Sequence, residues 1–156
     1  MKKILIALDY GPTTQKVAEI GFSLCKTKET AITILHVIAD PTYYPSVGYN
    51  PIMGFNGFMN INLLRPDIMD KLKSTSLDFL DKVKHQLGDD SIKTMVMEGS
   101  VAESILQIVK EINADIIVMG SHSRRWLENI VMGSITEYVL HHTTTPLLII
   151  PAKKHS

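Results

Sequence analysis

The chain has one cysteine, no net charge and no long apolar run, and each shortage removes a class of protein. With Cys25 alone no internal disulfide can form, and a lone thiol suits a reducing compartment, so the cytoplasm is the expected location. Lysine plus arginine and aspartate plus glutamate stand at 16 each, which leaves no basic field for nucleic acid and no acidic tail. The apolar stretch after Met1-Lys2-Lys3 runs only from Ile4 to Leu8. That is too short for a signal-peptide core and far short of the roughly 20 residues that cross a bilayer. Neither nucleic acid nor a membrane is an expected partner.

Catalytic signatures are missing too. No Gly-x-Gly-x-x-Gly follows the first strand and no Walker Gly-Lys-Ser is present, which disfavours dinucleotide oxidoreduction and P-loop hydrolysis. No Gly-x-Ser-x-Gly elbow exists, and no Ser, His and Asp set assembles. The six histidines include no pair with metal-ligand spacing to a third ligand, so no protein-built metal site is expected. Asp9 lacks the adjacent acidic residue that a phosphoryl-accepting receiver uses to hold a metal. Nothing specifies turnover, and the chain is read as a non-enzyme. It also lacks internal repeats and low-complexity tracts.

What is present is βα alternation. At 156 residues the chain fits one domain, long enough to bury about two-thirds of the surface its unfolded form exposes. Strand-length apolar runs at Ile4–Leu8, Ala31–Ile38, Ile92–Met97, Ile116–Met119 and Leu147–Ile150 alternate with helical patterns. The first helix shows Val17, Gly21 and Leu24, with Ala18 and Cys25 beside them; the second shows Ile68, Leu72, Phe79, Val83 and Leu87; the third shows Ile105, Ile108, Val109 and Ile112. Ser100-Val-Ala-Glu103 and Ser134-Ile-Thr-Glu137 read as capping boxes. Near-continuous apolar strands between helices predict an α/β fold: a single doubly wound, Rossmann-like domain over 1–152 with a five-stranded parallel sheet, helices on both faces, and a short polar tail at 153–156.

In such sheets ligands collect outside the carboxyl ends of the strands, where strand order reverses. Two connections exceed the usual two to six residues. One, about 39–66, carries Tyr43, Tyr44, Tyr49, Phe55 and Phe58 among Pro45, Gly48, Pro51, Gly54 and Gly57, and reads as a lid, a partner contact or an insertion. The other joins Ile116-Ile117-Val118-Met119 to a helix near Ser134, through Gly120-Ser121-His122-Ser123, nine further residues and Gly133-Ser134. A strand ending in a glycine-punctuated loop that re-enters a helix aims backbone N–H groups and a positive dipole end at one point, where an anion fits. Glycine at 120 and 133 lets the backbone approach phosphate oxygens, and a positive φ is the other reason for it.

Gly-x-x-Gly, nine residues and Gly-Ser/Thr is also the pattern of the nucleotide-binding members of the universal stress protein family. The chain resembles that family from Lys3-Ile-Leu-Ile-Ala-Leu-Asp9 through Ile117-Val118-Met119-Gly120 to Pro146-Leu-Leu-Ile-Ile150. Ser123 departs from the pattern, standing where the second glycine falls. Serine in left-handed geometry costs roughly 1–2 kcal/mol, against about 1.5–3 kcal/mol for each hydrogen bond to a charged phosphate. Weakened or retained binding is therefore expected over abolition.

The resemblance implies an adenine nucleotide alpha hydrolase-like fold with strand order 3-2-1-4-5, and a regulator of stress responses that binds ATP, or AMP or ADP, with Mg²⁺ carried by the nucleotide. It implies phosphate contacts from Gly120, Ser123, Gly133 and Ser134, a base or ribose contact from Asp9, an adenine contact at Val37, and a base pocket flanked by Pro12 and Met119. It further implies a homodimer mated through Leu147–Ile150, with an unknown client. Two other readings remain open at this point. One is a dimeric interaction module whose nucleotide site Ser123 has weakened; the other is a slow ATPase or self-phosphorylating protein. Arg124 and Arg125 read as solvated surface or phosphate screens, and Trp126 as a packed residue able to report binding.

Overall fold

The structure, a computed structural model, describes residues 1–11, 13–39, 66–121 and 133–151. Pro12, Ser123, residues 124–126 and nearly all of the 39–66 connection lie outside them. The elements run β1 (Lys2–Ala7), α1 (Thr14–Cys25), β2 (Thr30–Ala39), α2 (Pro66–Leu87), β3 (Lys93–Gly99), α3 (Val101–Ile112), β4 (Ile116–Gly120), α4 (Ser134–His142) and β5 (Leu147–Ile150). All strand pairs are parallel, and the order is β3-β2-β1-β4-β5, as the resemblance implied. Order reverses between β1 and β4, which places the switch point at the ends of those two strands.

Side chains on successive strand residues point to opposite faces, and the apolar runs of β1 and β2 feed two cores. Ile4, Ile6 and Leu8 with Ile32 and Ile34 meet Val17 and Ala18 of α1 and Leu80 and Val83 of α2. Leu5 with Leu35 and Val37 meets Ala102, Ile105, Ile108 and Val109 of α3 and Val139 of α4. Burying strands on both sides is what replaces apolar/polar alternation with continuous apolar sequence.

Leu24 corrects the expected face of α1, being 67% exposed. Ile20, Phe22 and Cys25 pack on the core instead, because the buried stripe of α1 follows Val17, Ala18 and Gly21. Gly21 is there for space: a Cβ would sit 2.8 Å from Val118 Cγ1 of β4. Neither expected capping box forms. Ser100 is the N-cap of α3, but its side chain makes no capping bond. At α4 the N-cap is Gly133, in extended geometry, so Ser134 is already the first helical residue. At the far end of α4, His142 stacks on Tyr138 at 3.9 Å, and its Nδ1 lies 2.8 Å from the Tyr138 carbonyl. His141 faces Glu137 at 3.8 Å.

Candidate functional site

Asp9, the residue after Leu8 at the end of β1, is folded back on itself. Its Oδ1 accepts from the Gly11 N–H at 2.9 Å and from the Thr14 hydroxyl at 3.0 Å, and the same hydroxyl also lies against the Asp9 carbonyl. A Cβ at Gly11 would stand 2.9 Å from that oxygen, so only glycine lets the carboxylate close the turn. Tyr10 anchors the turn from below. Its ring packs edge-on to His36 at 4.5 Å and against Phe79 of α2 at 4.4 Å, and its hydroxyl reaches Ser76 at 3.3 Å. Burial pushes the Tyr10 phenol up from its ordinary pKa, with the Ser76 bond opposing. His36, 1% exposed, meets the Leu8 carbonyl through Nδ1 at 2.9 Å. Since a carbonyl only accepts, Nδ1 carries the proton.

On the neighbouring strand, Gly120 opens the loop after β4. Its backbone is not left-handed; among the described residues the glycines with positive φ are Gly88 and Gly99. Gly133 is likewise extended, at φ −71°. The expectation of a positive φ at 120 and 133 therefore fails, and at Gly120 the reason is room: a Cβ would lie 3.1 Å from Val17 Cγ2. The loop's two ends are sewn together. Ser121 N–H donates to the Ile150 carbonyl at 2.8 Å and Gly133 N–H to the Ser121 carbonyl at 2.6 Å. The Thr136 hydroxyl donates to the Gly120 carbonyl at 2.9 Å. The Gly133 N–H is thus spent within the loop, contrary to the expectation that it faces phosphate. The first intrahelical bond is Glu137 N–H to Gly133, which leaves the N–H groups of Ser134, Ile135 and Thr136 without an intrahelical acceptor.

Between these pieces lies a cleft that opens to solvent. One wall is apolar, with Leu35 and Val37 from β2, Val101 and Ile105 from α3, and Met119 from β4. The opposite side carries Asp9, Thr13, Thr14, Gly120, Gly133 and Thr136. The starts of α1, α3 and α4 all open on this cleft, and none of the three N-caps makes a side-chain capping bond. Each start presents N–H groups without an intrahelical acceptor and about half a positive charge.

Of the eight expected site residues, Asp9, Val37, Met119, Gly120 and Gly133 line this one cleft. Ser134 is exposed beside it, and Pro12 and Ser123 lie outside the described residues. Sequence reading missed Thr13, Thr14, Leu35, Val101, Ile105, Ile135 and Thr136. The Thr13-Thr14 pair was the available signal, since hydroxyls at the start of α1 must face the same end of the sheet as Asp9.

A parallel, doubly wound sheet with an apolar-walled cleft at its switch point and uncapped helix starts around it is the architecture of a small-ligand α/β domain. The match to the universal stress protein family model spans residues 1–151, and the chain belongs to that family. It is similar to universal stress protein MJ0577 of Methanocaldococcus jannaschii, 26% identical over 155 residues, covering 97% of this chain and 96% of that protein. The solved structure of MJ0577 aligns with TM-score 0.77 at 25% identity, over 99% of this chain and 98% of the other. The fold also matches a universal stress protein in complex with cAMP (TM-score 0.62, 13% identity, 97% and 98% covered). It matches the Arabidopsis thaliana family protein At3g01520 with AMP bound as well (TM-score 0.59, 16% identity, 97% and 92% covered).

Proposed function

We propose that this chain holds an adenine nucleotide, ATP foremost with ADP or AMP as alternatives, in the cleft at the β1/β4 switch point, and acts as a cytoplasmic regulator of stress responses. The observation that carries the reading is the division of the cleft. An apolar wall of Leu35, Val37, Ile105 and Met119 suits a purine face, and helix starts without side-chain caps suit phosphate oxygens. AMP and cAMP bound to two proteins of this fold support the same ligand class.

Mg²⁺ would arrive on the phosphates, since Asp9 is the one carboxylate among the described cleft residues and a protein-built octahedral site needs more. The nucleotide is read as a bound signal rather than a turnover substrate. We further infer a homodimer. Among the described residues β5 pairs only with β4, so its outer edge, at Leu147–Ile150, is an apolar strand edge that a second copy satisfies. Light scattering behind gel filtration is expected to give twice the chain mass, and a monomer independent of concentration removes the dimer.

The test of the ligand is direct. Purified protein is denatured, the supernatant is run on anion exchange for adenine nucleotide, and the refilled protein is titrated calorimetrically with ATP, ADP and AMP. No co-purified nucleotide and no heat at millimolar ATP would refute the reading. That result would favour an interaction module with a silent site, a reading the spent Gly133 N–H also favours. Phosphate release from ATP would instead show a slow hydrolase.

A further inference from the structure

We propose that Thr14 is a positioning residue that aims one oxygen of Asp9 at the sugar of the bound nucleotide, so that the site takes ribonucleotides in preference to their deoxy analogues. This rests on the adenine nucleotide reading above and adds to it a selectivity and the residue that sets it.

β1 and β2 pair Ala7 with Leu35, and β1 and β4 pair Ile6 with Val118. Counting on two residues puts Asp9 level with Val37 and Gly120 level with Leu8. Across the cleft the strands run β2, β1, β4, each about 4.8 Å from the next. Most of the apolar wall lies at β2 and α3, with Met119 on β4, and the anion-favouring end lies at Gly120 and the start of α4. In any nucleotide the sugar is bonded between base and phosphate. A base on the Val37 side with phosphate on the Gly120 side therefore hangs its sugar over the end of β1, where Asp9 stands. The donors a sugar offers there are its hydroxyls, and an ionised carboxylate only accepts.

Asp9 is prepared for one such contact. Gly11 N–H donates to Oδ1, and the Thr14 hydroxyl shares its one proton between Oδ1 and the Asp9 carbonyl, while Oδ2 takes no hydrogen bond from any described residue. Thr14 is 5% exposed, and its hydroxyl is directed back to Asp9 and not to the cap of its own helix. Locking one oxygen fixes the carboxylate plane, and the second oxygen is then held for the ligand without rotamer search. Losing an orienting bond costs geometry at the contact without removing the contact's charge.

The experiment is calorimetric titration of wild type, Thr14→Val and Thr14→Ser with ATP, 2′-deoxy-ATP and 3′-deoxy-ATP. Wild type is expected to bind ATP roughly tenfold more tightly than at least one deoxy analogue, the worth of a hydrogen bond to a charged group. Thr14→Val, equal in shape but without the hydroxyl, is expected to bring that ratio towards one, and Thr14→Ser to restore it. A wild type that binds ATP and both analogues equally overturns the assignment, and this comparison needs no variant to fold. So does a Thr14→Val protein that weakens all three ligands alike with the ratio intact, the mark of a merely structural threonine. If wild type binds no ATP, the nucleotide reading itself falls, and this inference with it.

Discussion

Replacing Gly21 by alanine sets helix propensity against packing, and the structure decides the sign. In an exposed helix the change gains about 1 kcal/mol. At position 21 the new Cβ would sit 2.8 Å from Val118 Cγ1 and 3.4 Å from Ile6 Cδ1. The first neighbour is a branched, fully buried side chain with no free rotamer to retreat to, and overpacking of that kind costs about 1–3 kcal/mol. The expected net is a loss of about 1 kcal/mol, or roughly 3 °C in midpoint for a chain of this size. Val118→Ala alone is expected to lose about 2 kcal/mol as a large-to-small core change. In that background the nearest remaining contacts, Val118 Cβ at 3.5 Å and Ile6 Cδ1 at 3.4 Å, are ordinary. Gly21→Ala should then recover its helix gain, giving a favourable coupling of about 2 kcal/mol in a double-mutant cycle read by urea unfolding. Because α1 carries Val17 against Gly120 and Thr14 against Asp9, the single variant should weaken nucleotide binding as well. A Gly21→Ala protein more stable than wild type would refute the reasoning.

Other perturbations have equally definite outcomes. Gly120→Ala should fold with a loss of at most about 1 kcal/mol, since no left-handed φ is demanded and a 3.1 Å contact to one methyl can relax; thermal melts check this, and Val17→Ala should erase the loss. Gly88→Ala should cost about 1 kcal/mol although nothing lies within 4 Å, because φ is +70° after α2; its refutation is an unchanged urea midpoint. The Lys26 ammonium, with the hydroxyl and N–H of Ser91, holds Asp89 at about 2, below the ordinary 3.8. A depressed carboxylate stabilises the fold above its unfolded pKa and stops doing so as pH falls through the folded one. The stability gap between wild type and Asp89→Asn should therefore be full above about pH 5 and close as pH falls from about 4 to 2. A gap that stays constant across that range would remove Asp89 as the source.

The fold was legible wherever burial on both faces left a continuous apolar signature. All five strands lie where their isoleucines, valines and leucines put them, and helical spacing found the face of α3 and, on α2, Phe79, Val83 and Leu87, though not the fully buried Leu80. Strand order came from resemblance, because periodicity is blind to which strands are neighbours. Leu24 misled because a 12-residue helix on a sheet buries a narrow stripe, and Leu24 falls outside it. The capping boxes misled because extended geometry at Gly133 starts α4 with backbone alone. Of the cleft, Asp9 and Gly120 were readable as residues at strand ends, and Val37 came only from the resemblance. Thr14 was not, since its role depends on a hydroxyl bond back across five residues that no local pattern encodes. Nor was the closure of the loop by Gly133 N–H onto Ser121, a contact between the two ends of a long excursion.

Three helices begin at the rim of one cavity without side chains to finish them. Water can complete those amides, but an anion completes them better, so a resident metabolite would become part of the scaffold. Occupancy at a hundred times the dissociation constant is worth about 2.7 kcal/mol of cohesion. Resistance to proteolysis, and with it the abundance of the protein in the cell, would then rise and fall with the energy charge around it.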